Sequence, residues 1–184
     1  MEEKAHVLKS DCRFNGVRPI MMDLPYPPLE VKERNPAYAN MLSIDYCGSV
    51  SELSAITQYI NNEGRLCGKN CSCAQALLGI GMAEMMHLQK LGELIVLLGG
   101  RLDYVARYRN GQKRVWTPKY VALPDSMERM LTADIEAEQA AIKQYRMHMG
   151  MIDDACVNAV LARIIQDEEY HIMFLQVLME EVRG

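Results

Sequence analysis

The chain has 184 residues, enough for one domain with a sizeable core. Apolar residues make up 49% and charged residues 24%, which is a globular composition, and a net charge of −4 excludes a general nucleic-acid binder. The longest aliphatic run, Leu94 to Leu98, is too short to span a membrane. The N-terminus has no apolar stretch behind a basic start, as a signal peptide would have, so the cytoplasm is the expected compartment.

Residues 1–37 hold five of the seven prolines and are predicted to form an extended arm, because proline breaks helices. Three alternatives stay open for the arm: disorder, packing on the body, and packing on a neighbouring subunit. Residues 38–184 form the predicted helical domain. Its four helices are expected over about 39–62, 72–98, 126–150 and 154 almost to the C-terminus, and the ends carry turn and capping residues such as Gly99-Gly100.

Residues 101–123 separate the second and third predicted helices and have a different pattern. Aromatic and β-branched residues flank Asn110-Gly111, which is a hairpin signal. We therefore expect a short hairpin or an ordered crossover in this segment.

Polar residues interrupt helix faces that should be buried. In the second and fourth helices aliphatic residues recur every three or four positions, which indicates a core-facing side. Glu84 and His87 lie in the middle of one such face, Glu168 and His171 lie in the middle of the other, and Glu138 lies on the face of the third helix.

The two halves of the domain repeat one pattern. Each half has a single Glu followed seven positions later by Tyr, and then a Glu-x-x-His motif. Only about 0.3 Glu-x-x-His pairs are expected by chance, and two are present within the predicted helical domain alone. The repeated residues are Glu52, Tyr59, Glu84 and His87 in the first half and Glu138, Tyr145, Glu168 and His171 in the second.

Four carboxylates in one core repel one another and lose their hydration. A pair of divalent cations offsets that cost, and two histidines complete the ligand set. One Glu from each of two helices with Glu-x-x-His from each of two others is the ligand pattern of dinuclear iron and manganese bundles. We therefore predict two metal ions per chain, Fe or Mn, in a site that the six residues form.

The remaining candidates are placed elsewhere by their spacing. Glu136 and Glu169 are rotated away from the predicted ligands and should be solvated, and His6 and His148 are expected on the surface. The six cysteines are interpreted as free thiols or ligands. Cys67, Cys71 and Cys73 do not have zinc-finger spacing, although a redox-active pair there is an open hypothesis.

These motifs resemble those of the ferritin-like superfamily, which includes bacterioferritins, rubrerythrins and manganese catalases. The resemblance covers about residues 40–182. It implies an all-α, ferritin-like four-helix bundle, up-down-up-down, with a long crossover between the second and third helices. It also implies that Glu84 and Glu168 bridge the ions and that Glu52, Glu138, His87 and His171 are terminal ligands. Tyr59 and Tyr145 match tyrosines that hold the terminal carboxylates by hydrogen bonds.

The branch within this superfamily stays open. Rubrerythrins usually carry another Glu where this chain has Ile135, together with a Cys-x-x-Cys module that is absent here. Ferritin cages commonly have a fifth helix, for which the residues after His171 are too few. Met85 falls where bacterioferritins bind haem, but 14 methionines make coincidence the better explanation, and no haem is expected.

The predicted function is redox chemistry on hydrogen peroxide or O2, by a rubrerythrin-like peroxidase or a manganese-catalase-like enzyme. The alternatives are iron binding and storage, a structural protein that retains a metal site, and oxygenation of an organic substrate. A homo-oligomer, dimeric or higher, is expected. A peroxidase would also need an external electron donor, whereas nucleic acid and membrane are not expected partners.

Overall fold

The protein is described here from a computed structural model that covers residues 16–184. His6 and Cys12 lie outside this range. Within it the chain forms five α-helices, two short strands and a 3-10 turn. The helices are α1 (Pro36–Cys47), α2 (Glu52–Leu66), α3 (Cys71–Leu97), α4 (Met127–Met149) and α5 (Ala155–Arg183). The strands β1 (Val105–Arg107) and β2 (Lys113–Val115) and the 3-10 turn Pro118–Tyr120 lie between α3 and α4.

The four long helices α2–α5 form the bundle, so the predicted all-α four-helix fold with a long crossover is confirmed. Helix α2 packs on α3, and α4 packs on α5. Helices α2 and α4 are antiparallel. Glu52, at the start of α2, contacts Tyr145 near the end of α4, whereas Gln58, further along α2, contacts Asp134 nearer the start of α4. Because α2 is antiparallel to both α3 and α4, the latter two run in the same direction. The helix order is therefore up-down-down-up, and the predicted up-down-up-down order is wrong at that step.

The long crossover explains this order because it runs along most of α2. Trp116 donates from Nε1 to Oγ of Ser54 at 3.0 Å, and the Ala122 amide donates to Oε1 of Gln58 at 2.9 Å. Arg65, the penultimate residue of α2, donates to the carbonyl of Pro124. Strands β1 and β2 pair antiparallel at the start of this path, around Asn110 and Gly111.

The first predicted helix is two helices, which corrects the single helix expected over about 39–62. The amide of Gly48 closes α1 by donating to Ile44, and a Cβ at Gly48 would lie 2.6 Å from the Ile44 carbonyl oxygen. The side chain of Ser51 then caps α2 by accepting from the Ser54 amide. As a result Glu52 is the first residue of α2, at the positive end of the helix dipole.

Two apolar clusters fill the bundle, one on each side of a polar layer. The first contains Leu42, Leu91, Leu94, Leu161 and Ile164, and the second contains Leu77, Ile80, Leu131, Leu175 and Leu178. Helices α3 and α5 pass through both clusters, and their Glu-x-x-His motifs lie between them. Burial of apolar surface on both sides therefore fixes the position of the polar layer along the bundle.

The described part of the arm, residues 16–35, has no helix or strand and packs on the body of the chain. The Ile20 amide donates to the carbonyl of Gly79 at 2.9 Å, and Arg163 donates to the carbonyls of Met22 and Leu24. Position 79 needs glycine because a Cβ there would lie 2.8 Å from Cγ1 of Ile20. None of the helices within residues 16–184 combines the length and the apolar character that crossing a membrane requires.

Candidate metal centre

The polar layer brings together all six residues that the sequence predicts as ligands. Helix α2 contributes Glu52, α3 contributes Glu84 and His87, α4 contributes Glu138, and α5 contributes Glu168 and His171. The two Glu-x-x-His motifs have no exposed surface, and Glu52 and Glu138 keep only 3% and 2%. Each motif spans one helical turn, so its carboxylate and imidazole point into the same space.

The six side chains form two overlapping groups that could each hold a metal ion. One group comprises Glu52, Glu84, His87 and Glu168, and the other comprises Glu84, Glu138, Glu168 and His171. Within each group one ligand atom from every residue lies within 4.8 Å of the others. Glu84 and Glu168 belong to both groups, which is the geometry required of carboxylates that bridge two ions.

The Nδ1 atoms of both histidines face these carboxylates. Nδ1 of His87 lies 3.0 Å from Oε2 of Glu84 and 3.3 Å from Oε1 of Glu168. Nδ1 of His171 lies 3.0 Å from both Glu84 and Glu168 and 3.5 Å from Glu138. Each imidazole nitrogen is therefore surrounded by carboxylate oxygens on its own side of the centre.

The opposite ring nitrogens are held by acceptors outside the centre. Nε2 of His171 lies 2.7 Å from the carbonyl oxygen of Ile20, and Nε2 of His87 lies 3.2 Å from Oδ2 of Asp167. A carbonyl and an ionised carboxylate can only accept, so in each neutral imidazole the proton is on Nε2. The lone pair of Nδ1 then points at the carboxylates, as in a metal ligand whose other nitrogen is hydrogen-bonded.

Asp167 is the acceptor for His87 because several donors keep it ionised. Burial alone would raise its pKa, but hydrogen bonds from His87, Arg163, the Met22 amide and Tyr26 lower the pKa of Asp167 to about 2. Tyr26 donates to Oδ2 and the Met22 amide to Oδ1, each at 2.8 Å. The arm therefore contacts the outer nitrogen of one histidine directly and fixes the carboxylate that holds the other.

The two tyrosines join the halves of the bundle. Tyr59 on α2 donates to Oε1 of Glu138 on α4, and Tyr145 on α4 donates to Oε1 of Glu52 on α2. Both hydroxyls are buried, and burial near carboxylates raises the pKa of Tyr59 well above its usual range, so it remains a donor. Each terminal carboxylate is thus oriented by the helical hairpin to which it does not belong.

The electrostatics of this layer require positive charge among the carboxylates. Burial and the charges of Glu84 and Glu168 raise the pKa of Glu52 and that of Glu138 well above the usual range. Burial alone would lower the pKa of His87, but the neighbouring carboxylates raise it strongly. Four carboxylates at this separation are not all ionised unless protons or metal ions lie between them.

The donor set fits a pair of metal ions. Oε1 of Glu84 and Oε1 of Glu168 are buried and accept no hydrogen bond within the described residues. They nevertheless lie 3.0 and 3.3 Å from Nδ1 of His171 and His87, respectively. Unsatisfied buried oxygens that face imidazole lone pairs are explained by a cation between them, and carboxylate with imidazole suits manganese and iron.

Sequence reasoning missed Asp167 and the Ile20 carbonyl. Asp167 precedes Glu168, so helical spacing alone directs it away from the ligand face, and only the packing of α5 against α3 brings it to His87. The backbone carbonyl of Ile20 has no signal in the sequence. The one sequence signal for Asp167 is its position, because it is an acidic residue directly before the Glu-x-x-His motif of α5.

His148 is buried, so its expected surface position is wrong. Its Nδ1 lies 2.7 Å from Oδ2 of Asp45, whose other oxygen accepts from Gln144 at 2.8 Å. The reason is α1, which covers the last turn of α4 and was not recognised as a separate helix. Glu136 and Glu169 are exposed, as the spacing predicts.

The cysteine cluster lies at the start of α3, outside both metal-binding groups of the described chain. Cys71 is disulfide-bonded, so the interpretation of every cysteine as a free thiol or a ligand is wrong for this residue. Cys73 is buried among apolar residues, and burial raises the pKa of its thiol to about 11. Cys73 is therefore a protonated packing group at neutral pH.

A family model described as ferritin-like domain matches residues 78–184, more than half of the chain. The chain belongs to the ferritin-like family. The matched region includes most of α3 and all of α4 and α5, and therefore both Glu-x-x-His motifs. The resemblance inferred from these motifs is thereby confirmed.

Individual relatives of this ferritin-like chain include catalases and bacterioferritins. A probable manganese catalase of Clostridium acetobutylicum is 24% identical in an alignment of 173 positions that covers 85% of this chain and 76% of the relative. The crystal structure of KatB, a manganese catalase from Anabaena, superposes with a TM-score of 0.76 at 22% identity. The superposition covers 88% of this chain and 79% of the KatB chain.

A bacterioferritin, BfrA of Mycobacterium tuberculosis, is also similar in structure. Its TM-score is 0.66 at 22% identity, over 82% of this chain and 89% of its own. At these identities the solved structures establish the shared fold of the ferritin-like chain.

Proposed function

We propose that this chain binds two manganese ions and disproportionates hydrogen peroxide to O2 and water. The observation that carries the proposal is the pair of overlapping ligand groups that share Glu84 and Glu168. The similarity to manganese catalases extends over most of the chain and supports both the metal and the substrate. Iron is the alternative metal, because carboxylate and imidazole ligands also suit iron.

The six predicted ligands would hold the ions as two symmetric sets. Glu52 and His87 would bind one ion, Glu138 and His171 would bind the other, and Glu84 and Glu168 would bind both. When bound, the ions supply reversible electron transfer, so that one peroxide molecule is oxidised to O2 while another is reduced to water. This chemistry needs no external electron donor.

The chain's own residues keep the ligands in position and handle protons. Tyr145 engages Oε1 of Glu52 and leaves Oε2 for a metal ion or a proton. A carboxylate oxygen left free in this way can accept a proton from peroxide and return it to the water that forms. The apolar clusters on both sides exclude bulk water and keep the site preorganised.

The first experiment is elemental analysis of protein purified from its own host, followed by oxygen measurement after peroxide is added without reductant. Two manganese ions per chain with sustained oxygen release is the expected result. Two manganese ions without oxygen release would refute the catalase activity, and absence of stoichiometric metal would refute the site.

Variants of the shared carboxylates test the ligand assignment. Glu84→Ala and Glu168→Ala should lose both ions, because each residue belongs to both groups. Glu136→Ala and Glu169→Ala are matched controls on α4 and α5, since their side chains are exposed and should retain full metal content. Circular dichroism verifies the helical fold in all four. Metal retained in both of the first two variants would contradict the assignment.

Iron oxidation and storage is a second candidate, which the similarity to a bacterioferritin supports. It differs from the catalase in a measurable way. A storage protein would take up iron well beyond two ions per chain and would not release oxygen from peroxide in sustained turnover. The homo-oligomer, the electron donor of a peroxidase and the cytoplasmic compartment stay predictions.

A further inference from the structure

The two sides of the centre differ in how they are closed. On the histidine side the arm covers the outer nitrogens, since Ile20 contacts His171 and Tyr26 contacts Asp167, which holds His87. The arm lies directly on α3, where a Cβ at Gly79 would be 3.0 Å from the carbonyl oxygen of Arg18. The arm therefore covers the outer face of both imidazoles.

The carboxylate side borders a cavity of about 60 Å³ between α2 and α4. Glu52 and Glu138 are part of its lining, whereas the two Glu-x-x-His motifs are not. The exposure of the six residues agrees with this difference. Glu52 and Glu138 keep 3% and 2% of their surface accessible, and the other four keep none. The centre therefore meets solvent only beside the terminal carboxylates, as far as residues 16–184 show.

The walls of this cavity are small and fixed. The cavity exists because three of its lining side chains are short, those of Ala55, Ala137 and Ala141. Tyr120 from the crossover also lines it. Ser54, also in the lining, accepts from Trp116 at 3.0 Å and donates to the Gly48 carbonyl at 3.1 Å. These contacts hold the crossover against α2, so the opening keeps its size.

The volume suits a very small polar molecule. A water molecule needs at least about 10–15 Å³ of such volume, so the cavity has room for a few of them. Ser51, Ser54 and Gln58 supply polar atoms along the wall. Hydrogen peroxide matches this size and polarity, and a bulky organic hydroperoxide does not.

We propose that this cavity is the entrance by which hydrogen peroxide reaches the metal centre, and that its alanine walls set the size limit. The proposal rests on the proposed function for the identity of the substrate. It assigns a specificity role to Ala55 and Ala141, which line the cavity with side chains that carry no polar group.

Progressive filling of the cavity tests the entrance. Ala141→Val, Ala141→Leu and Ala55→Leu place increasing bulk on two different walls, and Ala159→Leu is the control because Ala159 is exposed on α5. Each protein is compared per bound metal. We expect kcat/KM for peroxide to fall progressively, by about tenfold or more in the leucine variants, which corresponds to a barrier raised by about 1.4 kcal/mol.

The association rate of azide with the metal-loaded protein, followed by absorbance, gives a readout that does not need turnover. The azide association rate should fall in the same order of variants as kcat/KM, and the rate for Ala159→Leu should equal that of the wild type. If the wild type binds azide but releases no oxygen, the catalase proposal fails while the entrance is still tested. Equal azide rates in wild type and both leucine variants, at equal metal content, would overturn the entrance.

Discussion

Replacing Asp167 with asparagine should weaken one metal ion selectively. Oδ1 of Asp167 accepts a hydrogen bond from the Met22 amide and forms an ion pair with Arg163. Oδ2 accepts from the Tyr26 hydroxyl and lies against Nε2 of His87. The asparagine oxygen will stay with Met22 and Arg163, which can only donate. Its amide nitrogen then faces His87 and cannot accept the proton from Nε2.

The consequence is a change of tautomer at His87. With its acceptor lost, the neutral imidazole moves its proton to Nδ1, where Glu84 and Glu168 are the nearest acceptors. A protonated Nδ1 cannot bind metal. Loss of such a supporting partner typically costs about 10- to 100-fold in metal affinity, equivalent to about 1.4–2.7 kcal/mol. Only the ligand group that contains His87 should be affected.

Competition with a chelating dye measures the two binding steps separately. The expected titration has one step at the wild-type affinity and one weakened step. Tyr26→Phe is the control, since it removes one donor from Asp167 and leaves the carboxylate against His87. Asp134→Asn is a second control at a buried carboxylate on α4 that contacts Gln58 rather than a histidine. Wild-type affinity for both ions in Asp167→Asn would refute the reasoning.

Three further predictions concern other contacts. Tyr145→Phe removes the hydroxyl that orients Glu52, and metal titration should show about tenfold weaker binding with an unchanged helical spectrum; equal affinity would contradict the role of the hydroxyl. Gly100→Ala places a Cβ 2.5 Å from Cβ of Ala39, so urea unfolding should show about 1–3 kcal/mol less stability, and no loss would contradict the packing. Burial raises the pKa of Asp134 from 3.8 to about 6, so its stabilising contribution is present below 3.8 and is lost as pH rises through 6. In metal-free protein, urea unfolding of the wild type relative to Asp134→Asn should therefore lose about 1.4 kcal/mol between pH 5 and 7.5, and a pH-independent difference would contradict the shift.

The ligand candidates could be predicted from the sequence because helical periodicity places them unambiguously. Glu84 and His87 interrupt an aliphatic face, and a buried face is the strongest constraint on a bundle helix. Glu52 was less clear, because the repeat that identified it lies in a helix whose start was misplaced. Glu52 was identified because it repeats the position of Glu138 in the other half of the domain, and not from the apolar pattern of its own helix.

Other features depend on long-range packing that a linear pattern does not record. The break at Gly48 separates α1 from α2, and α1 in turn buries His148. The direction of α4 follows from the path of the crossover along α2, which Trp116 fixes through a contact between distant residues. The arm's contact with His171 uses a backbone carbonyl, and every residue has one.

The distribution of ligands along the chain also sets the order in which the protein can mature. Glu168 belongs to both groups and lies near the middle of α5, so neither group is complete until about half of α5 has been synthesised. A nascent chain that has reached α4 presents three of the four carboxylates and a single imidazole, but no full ligand set. The proposed metal ions would therefore find a full ligand set only in chains whose two hairpins have already docked.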